Sequence, residues 1–282
     1  MDEHPTDLLA EGLKANLQDK FRRGNVINLG AEGTLVAAGD IHGHRRNLER
    51  ILGFADLEAN PDRHLVLQEI IHGGERDADG GCLSYRLLFD VVRCKIGFPD
   101  RLHLIMGNHD TAFISGRPVM KDGQEMNRRL HRAIDSRFGG ESEGIVEAMR
   151  GFLLSQPLAV RTANRMWFSH SLPSDNLLSQ FDSGVLERPL DRRDCERPGS
   201  AYILTWGRRQ SPHLLEEMAA LLDVDVFVLG HQMAERGCKP AGGSAVIINS
   251  EQDHGCLLKI DLARSYTAEE VMRSTVQLAS LT

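Results

Sequence analysis

No apolar run in this chain is long enough to cross a bilayer. The first residues, Met-Asp-Glu-His, show neither the basic n-region nor the apolar h-region of a secretory signal. Cysteine is sparse and odd in number, at positions 82, 94, 195, 238 and 256, and no two are spaced as C-x-x-C. That argues against a disulfide framework and a zinc knuckle, and leaves free structural thiols in a reducing, cytoplasmic setting as the expectation. Basic residues are also not in excess. The formal charge is -7 and Lys and Arg are scattered, with pairs such as Arg22-Arg23 and Arg192-Arg193 reading as solvated surface. No nucleic-acid footprint and no membrane partner are therefore expected. No glycine-rich stretch precedes a helix in a P-loop pattern.

What is present is an alternation of short apolar runs and amphipathic stretches. Over 282 residues with 41% hydrophobic content, this predicts an α/β fold with one large core. Strands are expected at 26–29, 34–38, 63–71, 102–106 and 224–229. A hairpin is expected from 158–161 and 165–169, and an antiparallel-like pair from 245–249 and 255–260. Helices are expected at 44–56, 82–97 and 211–222, the last opened by Ser211-Pro212. Residues 202–206 read as a short strand or a helix end, and 268–278 as a terminal helix or tail. Residues 1–23 read as a peripheral helical segment. Residues 121–155 read as a helical insertion forming a cap or rim over the site, and 182–200 as a long loop. No repeat divides the chain, so a single domain over 1–282 is the simplest organisation.

Polar residues recur where these strands end: Asp40, His42, Glu69, Asn108, His109, His170 and His231. Ligand sites of layered α/β folds lie at such ends. Carboxylate, imidazole and amide oxygen together suit Zn, Mn or Fe. Two such ions sharing a carboxylate can activate a water and neutralise phosphoryl oxygens, with a nearby His as general acid.

The motifs Gly-Asp-Ile-His-Gly at 39–43 and Gly-Asn-His-Asp at 107–110, followed by His170 and Gly230-His231, resemble those of the calcineurin-like metallophosphoesterases. Gly-His-Gln at 230–232 is similar to the phosphoprotein-phosphatase branch, which includes the bacterial diadenosine-tetraphosphatase-like members. The resemblance runs in order from residue 34 to about 260. It implies a four-layer αββα sandwich and two divalent metal ions. Asp40 and His42 would hold the first ion, Glu69 the bridging position, and Asn108, His170 and His231 the second. It implies His109 as general acid or phosphate contact. The implied substrates are phosphomonoesters, phosphoproteins or dinucleoside polyphosphates, attacked by a metal-activated water. The simpler members of the family place a further His two residues after the last one, where this chain has Met233.

The second motif departs from the family. Its Gly-Asp is Gln68-Glu69, its second Asp is His72, and its phosphate-binding Arg is Gly73. Glu69 is expected to bridge with a longer arm. His72 is expected to accept a hydrogen bond when neutral or to add a metal ligand. Arg208, in Trp206-Gly207-Arg208-Arg209, is preferred over Arg209 as a phosphate contact, with Arg76 as another source of the lost guanidinium. The same departure supports the alternative of a catalytically weak relative that binds metal and a phosphorylated ligand. The histidines at 44, 64, 103, 131, 213 and 254 read as surface or structural.

Overall fold

The computed structural model describes residues 3–281; Met1, Asp2 and Thr282, at the ends of the expected single domain, lie outside the described residues. Side-chain alternation along the strands explains the architecture. On strand Thr34–Asp40, Leu35 and Ala37 turn to one apolar cluster while Val36 and Ala38 turn to another. Strand Arg63–Gln68 divides in the same way, with Val66 on one side and Leu65 and Leu67 on the other. A strand that is apolar on both faces must be covered on both.

The inner cluster is the seam between two sheets. One sheet has five strands, in the order Thr275–Gln277, Cys256–Asp261, Thr34–Asp40, Arg63–Gln68, Leu102–Ile105. The other has seven, in the order Arg22–Arg23, Val26–Leu29, Ala159–Thr162, Met166–Ser169, Val226–Leu229, Ala245–Ile248, Cys238–Ala241. Ile27, Val160, Phe168, Val228 and Val246 of the second meet Leu35, Val66, Ile105 and Leu258 of the first. The outer faces are covered by helices. Leu48 and Ile51 of helix Arg45–Ala55, with Leu88 and Val92 of helix Ser84–Gly97, pack in the cluster that includes Leu65, Leu67 and Leu104. Leu214, Leu215 and Met218 of helix Pro212–Leu222 join Phe227 and Leu229. The result is the expected helix–sheet–sheet–helix sandwich.

Three adjacent strands of each sheet run parallel. Their carboxyl ends meet at one edge, where the isolated bridge Asp40–Asn249 ties the sheets together. The paired strands expected at 245–249 and 255–260 are instead in different sheets. Ala245–Ile248 runs parallel to Val226–Leu229, and Cys256–Asp261 runs antiparallel to Thr34–Asp40. The intervening loop crosses between the sheets rather than reversing within one. The segment 182–200 contains two 3-10 turns, Ser183–Leu186 and Arg192–Cys195, and residues 202–206 belong to helix Ser200–Trp206. The terminal stretch is helix Ala268–Arg273 followed by strand Thr275–Gln277.

Within 121–155, helix Ser142–Leu154 packs against helices Pro5–Leu17, Asn108–Ser115 and Met126–Phe138. The short hairpin Met120–Lys121/Gln124–Glu125 precedes them, and from it Lys121 reaches the polar edge of the sandwich by pairing with Glu251.

Candidate metal centre

The strand ends carry the polar groups of the site. Strand Thr34–Asp40 ends in Asp40, strand Arg63–Gln68 hands over to Glu69, and helix Asn108–Ser115 begins with Asn108 and His109. His170 and His231 each come one or two residues after a parallel strand of the second sheet. All six expected metal-binding residues, and His72 and His109 with them, are buried together.

Local geometry sets their directions. His42 Nδ1 lies 3.1 Å from the Ile71 carbonyl, which can only accept, so that nitrogen carries the hydrogen and Nε2 turns a lone pair toward the site. His170 Nδ1 lies 2.8 Å from Gln68 Oε1, and the Gln68 amide nitrogen donates to Ala38 O at 3.1 Å. Gln68 therefore accepts from His170, whose Nε2 points to Asn108 Oδ1 at 2.8 Å. His231 Nδ1 points to the same oxygen at 2.9 Å. Asn108, His170 and His231 thus converge on one point.

A second convergence involves the carboxylates. His42 Nε2 is 3.8 Å from Asp40 Oδ2 and 3.8 Å from Glu69 Oε2. Glu69 Oε2 is in turn 3.7 Å from His170 Nε2. Two sets of groups could each hold an ion, His42–Glu69–His109 and Asp40–Glu69–His170, and Glu69 is common to both. Atoms that share a first-row ion at about 2.1 Å lie between about 3.0 and 4.2 Å apart, according to the angle they subtend. The donor set fits such ions in chemistry and spacing. The His231 Nε2 and His72 Nε2 atoms add buried nitrogens without a hydrogen-bond partner.

The extra methylene of Glu69 is accommodated by Gly107. A Cβ on Gly107 would stand 2.0 Å from Glu69 Oε1 and 2.6 Å from its Cγ. The longer side chain lies across this bare Cα, and His109 N–H donates to its Oε1 at 3.0 Å. A helix N-terminus favours the negative charge it receives. Gly73 stands in the place of an arginine for a similar reason of space. A Cβ there would lie 2.1 Å from the His42 carbonyl oxygen, so the loop backbone fills the volume a side chain would need.

Burial dominates the electrostatics. It raises Asp40 to about 7, helped by the negative charge of Glu251 and opposed by the His231 N–H. It also raises Asp110 to about 7 and Glu69 well above the usual carboxylate range, with Asp110 and Asp40 adding repulsion at Glu69. His42, His72, His109 and His170 are held well below the usual imidazole range, first by burial and then by neighbouring cations and imidazoles. Burial and the Arg208 charge lower His231 to about 3. Neutral imidazoles among crowded carboxylates are a cation-binding arrangement.

His72 Nδ1 faces His109 Nδ1 at 3.0 Å. Arg208 is exposed, yet its charge is felt at His109, His170 and His231. Arg209 is exposed beside it with a left-handed φ of 60°. Arg76 is exposed, pairs with Cys82 through the backbone, and no hydrogen bond or ion pair ties its side chain to the site among the described residues. Gln68, Lys121 and Glu251 stand in or beside the site without having been marked as functional groups. Gln68 was visible as an oddity of the second motif, but its partner lies 102 residues away. His42, Glu69, His72 and His231 all have positive φ, between 45° and 68°.

A family model described as calcineurin-like phosphoesterase matches residues 33–258. A serine/threonine-protein phosphatase of Caenorhabditis elegans is 23% identical over 230 residues, covering 77% of this chain and 46% of the relative. The chain thus spans about half the length of that curated relative. Among solved structures, a protein serine/threonine phosphatase from Saccharomyces cerevisiae superposes with a TM-score of 0.67 at 14% identity, over 91% of this chain and 81% of the other. A cold-active protein-tyrosine phosphatase of a psychrophilic Shewanella species superposes with a TM-score of 0.62 at 16% identity, over 84% of this chain and 78% of the other. These structural likenesses speak for the fold.

Proposed function

The chain belongs to the calcineurin-like phosphoesterase family, and from that membership and the site geometry we propose that it hydrolyses phosphate esters with two bound divalent ions, Mn, Fe or Zn. The observation that carries this reading is the position of Glu69 Oε2, 3.8 Å from His42 Nε2 on one side and 3.7 Å from His170 Nε2 on the other. One carboxylate so placed can serve two ions. Asp40 and His42 would complete the first position, and Asn108, His170 and His231 the second. When bound, such ions neutralise phosphoryl oxygens and lower the pKa of a water so that it can attack near neutral pH.

The chain's own groups do the rest. His42 and His170 keep their lone pairs inward because Ile71 and Gln68 hold their other nitrogens. His109, tied at Nδ1 by His72, is left with Nε2 to hand a proton to the leaving oxygen. Arg208 extends a guanidinium from the rim toward the phosphate. The phosphatase names of the relatives favour a phosphomonoester or phosphoprotein substrate, and they differ in the residue type they act on.

The test is hydrolysis of an aryl phosphate and of Ser-, Thr- and Tyr-phosphorylated peptides with added Mn. Activity lost in Asp40→Asn supports the reading, and full activity in that variant overturns it. His72 in place of a carboxylate beside His109 favours a second reading, a metal-binding relative with poor turnover. Full metal occupancy without turnover on that panel would support it.

A further inference from the structure

The loop 249–255 that crosses between the sheets brings another carboxylate to the site. Glu251 Oε2 lies 3.8 Å from His42 Nε2. That is the same separation as from Asp40 Oδ2 and from Glu69 Oε2 to this nitrogen. Three carboxylate oxygens therefore face one imidazole nitrogen at one distance. The distance is too long for hydrogen bonds. The hydrogen on Nδ1 is committed to the Ile71 carbonyl, so Nε2 turns its lone pair toward these oxygens. Lone pairs facing lone pairs repel, and a cation among them reverses the sign of every one of these contacts.

Glu251 is not there by chance of a floppy loop. Gly39 N–H donates to Ser250 Oγ at 2.9 Å, and Ser250 N–H donates to Asp40 O at 3.2 Å. The buried Asn47 amide donates to both Ser250 O and Gln252 O at 2.8 Å. Glu251 N–H donates to Asn249 Oδ1 at 3.3 Å. The residues on either side of Glu251 are thus fastened to the strand that carries Asp40 and to the helix behind it. Met233, two residues past His231, is 62% exposed and offers nothing to the site. The Lys121 ammonium is paired with the same Glu251 oxygen, and both side chains are largely covered.

We propose that Glu251 is a protein ligand of the first metal position, with Asp40, His42 and Glu69, and that Lys121 competes with the ion for it. This rests on the two-metal reading above. An ion entering among these groups must take the Glu251 oxygen from Lys121, so Lys121 sets the affinity of that position downward.

The experiment is calorimetric titration of the full chain with Mn, together with metal content after gel filtration, for wild type, Asp40→Asn, Glu251→Gln, Glu251→Ala and Lys121→Met. Thermal unfolding in chelator checks that each variant folds. Wild type is expected to take up two ions. Both Glu251 variants are expected to weaken one of the two by at least roughly tenfold. Lys121→Met is expected to strengthen the same one about two- to fivefold. Unchanged two-ion binding in both folded Glu251 variants overturns the assignment while leaving the two-metal reading intact. Weaker binding in Lys121→Met overturns the competition. A wild type that binds no ion overturns the two-metal reading itself, and the assignment with it.

Discussion

His72 Nδ1 and His109 Nδ1 face each other across 3.0 Å, and between two neutral imidazoles at this distance only one hydrogen can stand. If His109 is to deliver a proton from Nε2 as an imidazolium, its Nδ1–H must be donated and His72 must accept it while neutral. Burial favours neutrality at both rings and keeps both well below the usual imidazole range. The protonated acid is present only at low pH and is lost as pH rises through a depressed value.

A carboxylate at position 72 would stabilise the His109 imidazolium and raise its pKa. His72→Asp is therefore expected to move the alkaline limb of the pH–kcat profile to higher pH. His109→Ala should lower kcat roughly 10²- to 10⁴-fold with the metals retained. The profile of the two enzymes under identical metal loading is the measurement. An unmoved alkaline limb in His72→Asp would mean that His109 is not the acid.

Gln68 controls the second metal position through His170. Gln68→Ala removes the acceptor at 2.8 Å and frees the ring to turn or change tautomer. Metal affinity at that position is expected to fall roughly 10- to 100-fold, as it does when such supporting partners are removed. Calorimetric titration reads this without recourse to turnover. Retention of both affinities would show that packing alone orients His170.

Gly107→Ala tests the path of Glu69. The added methyl would stand 2.0 Å from Oε1, so the carboxylate must leave the position from which it faces both His42 and His170. Loss of both ions from one substitution outside the ligand set is the expected result, read as metal content. An enzyme that still binds two ions would show that Glu69 does not link them.

Stability against acid depends on a network far from the site. Lys95 Nζ donates to Asp19 Oδ2 at 3.1 Å, His103 Nδ1 to the same oxygen at 2.8 Å, and His64 Nδ1 meets His103 Nε2 at 3.1 Å. Burial alone would raise Asp19, but His103 and Lys95 outweigh it and hold it at about 2, against 3.8 in the open chain. That difference contributes about 2 kcal/mol above pH 3.8, lost as pH falls toward 2. Burial and the neighbouring His103 lower His64 from 6.5 to about 3. The unfolded chain therefore binds the extra proton between these values, and stability already declines as pH drops below 6.5. Lys95→Met should cost about 3–5 kcal/mol, because it leaves Asp19 buried without its cation. Denaturant unfolding of both proteins from pH 7 down to pH 2 checks these statements.

The contrast between site and network shows what can be read along a chain. Asp40, His42, Asn108, His109, His170 and His231 stood out because each sits at the end of an apolar run, a local pattern. The strands themselves were legible for the same reason. Strand Cys238–Ala241 was not, since it is an edge strand of Cys-Lys-Pro-Ala with its proline tolerated only there. The pairing of 245–249 was misplaced because alternation marks a strand but not its neighbour. Gln68 with His170, Glu251 with His42, and Asp19 with His103 are meetings of residues 84 to 209 positions apart, and only the closed sandwich creates them.

Four residues with left-handed backbone, His42, Glu69, His72 and His231, lie within this one site. Glycine would sit in each without the cost of about 1–3 kcal/mol that an L side chain meets there. Imidazole and carboxylate at all four positions therefore carry that backbone cost to keep their side chains turned into the site, and the cost is concentrated where the ligands are.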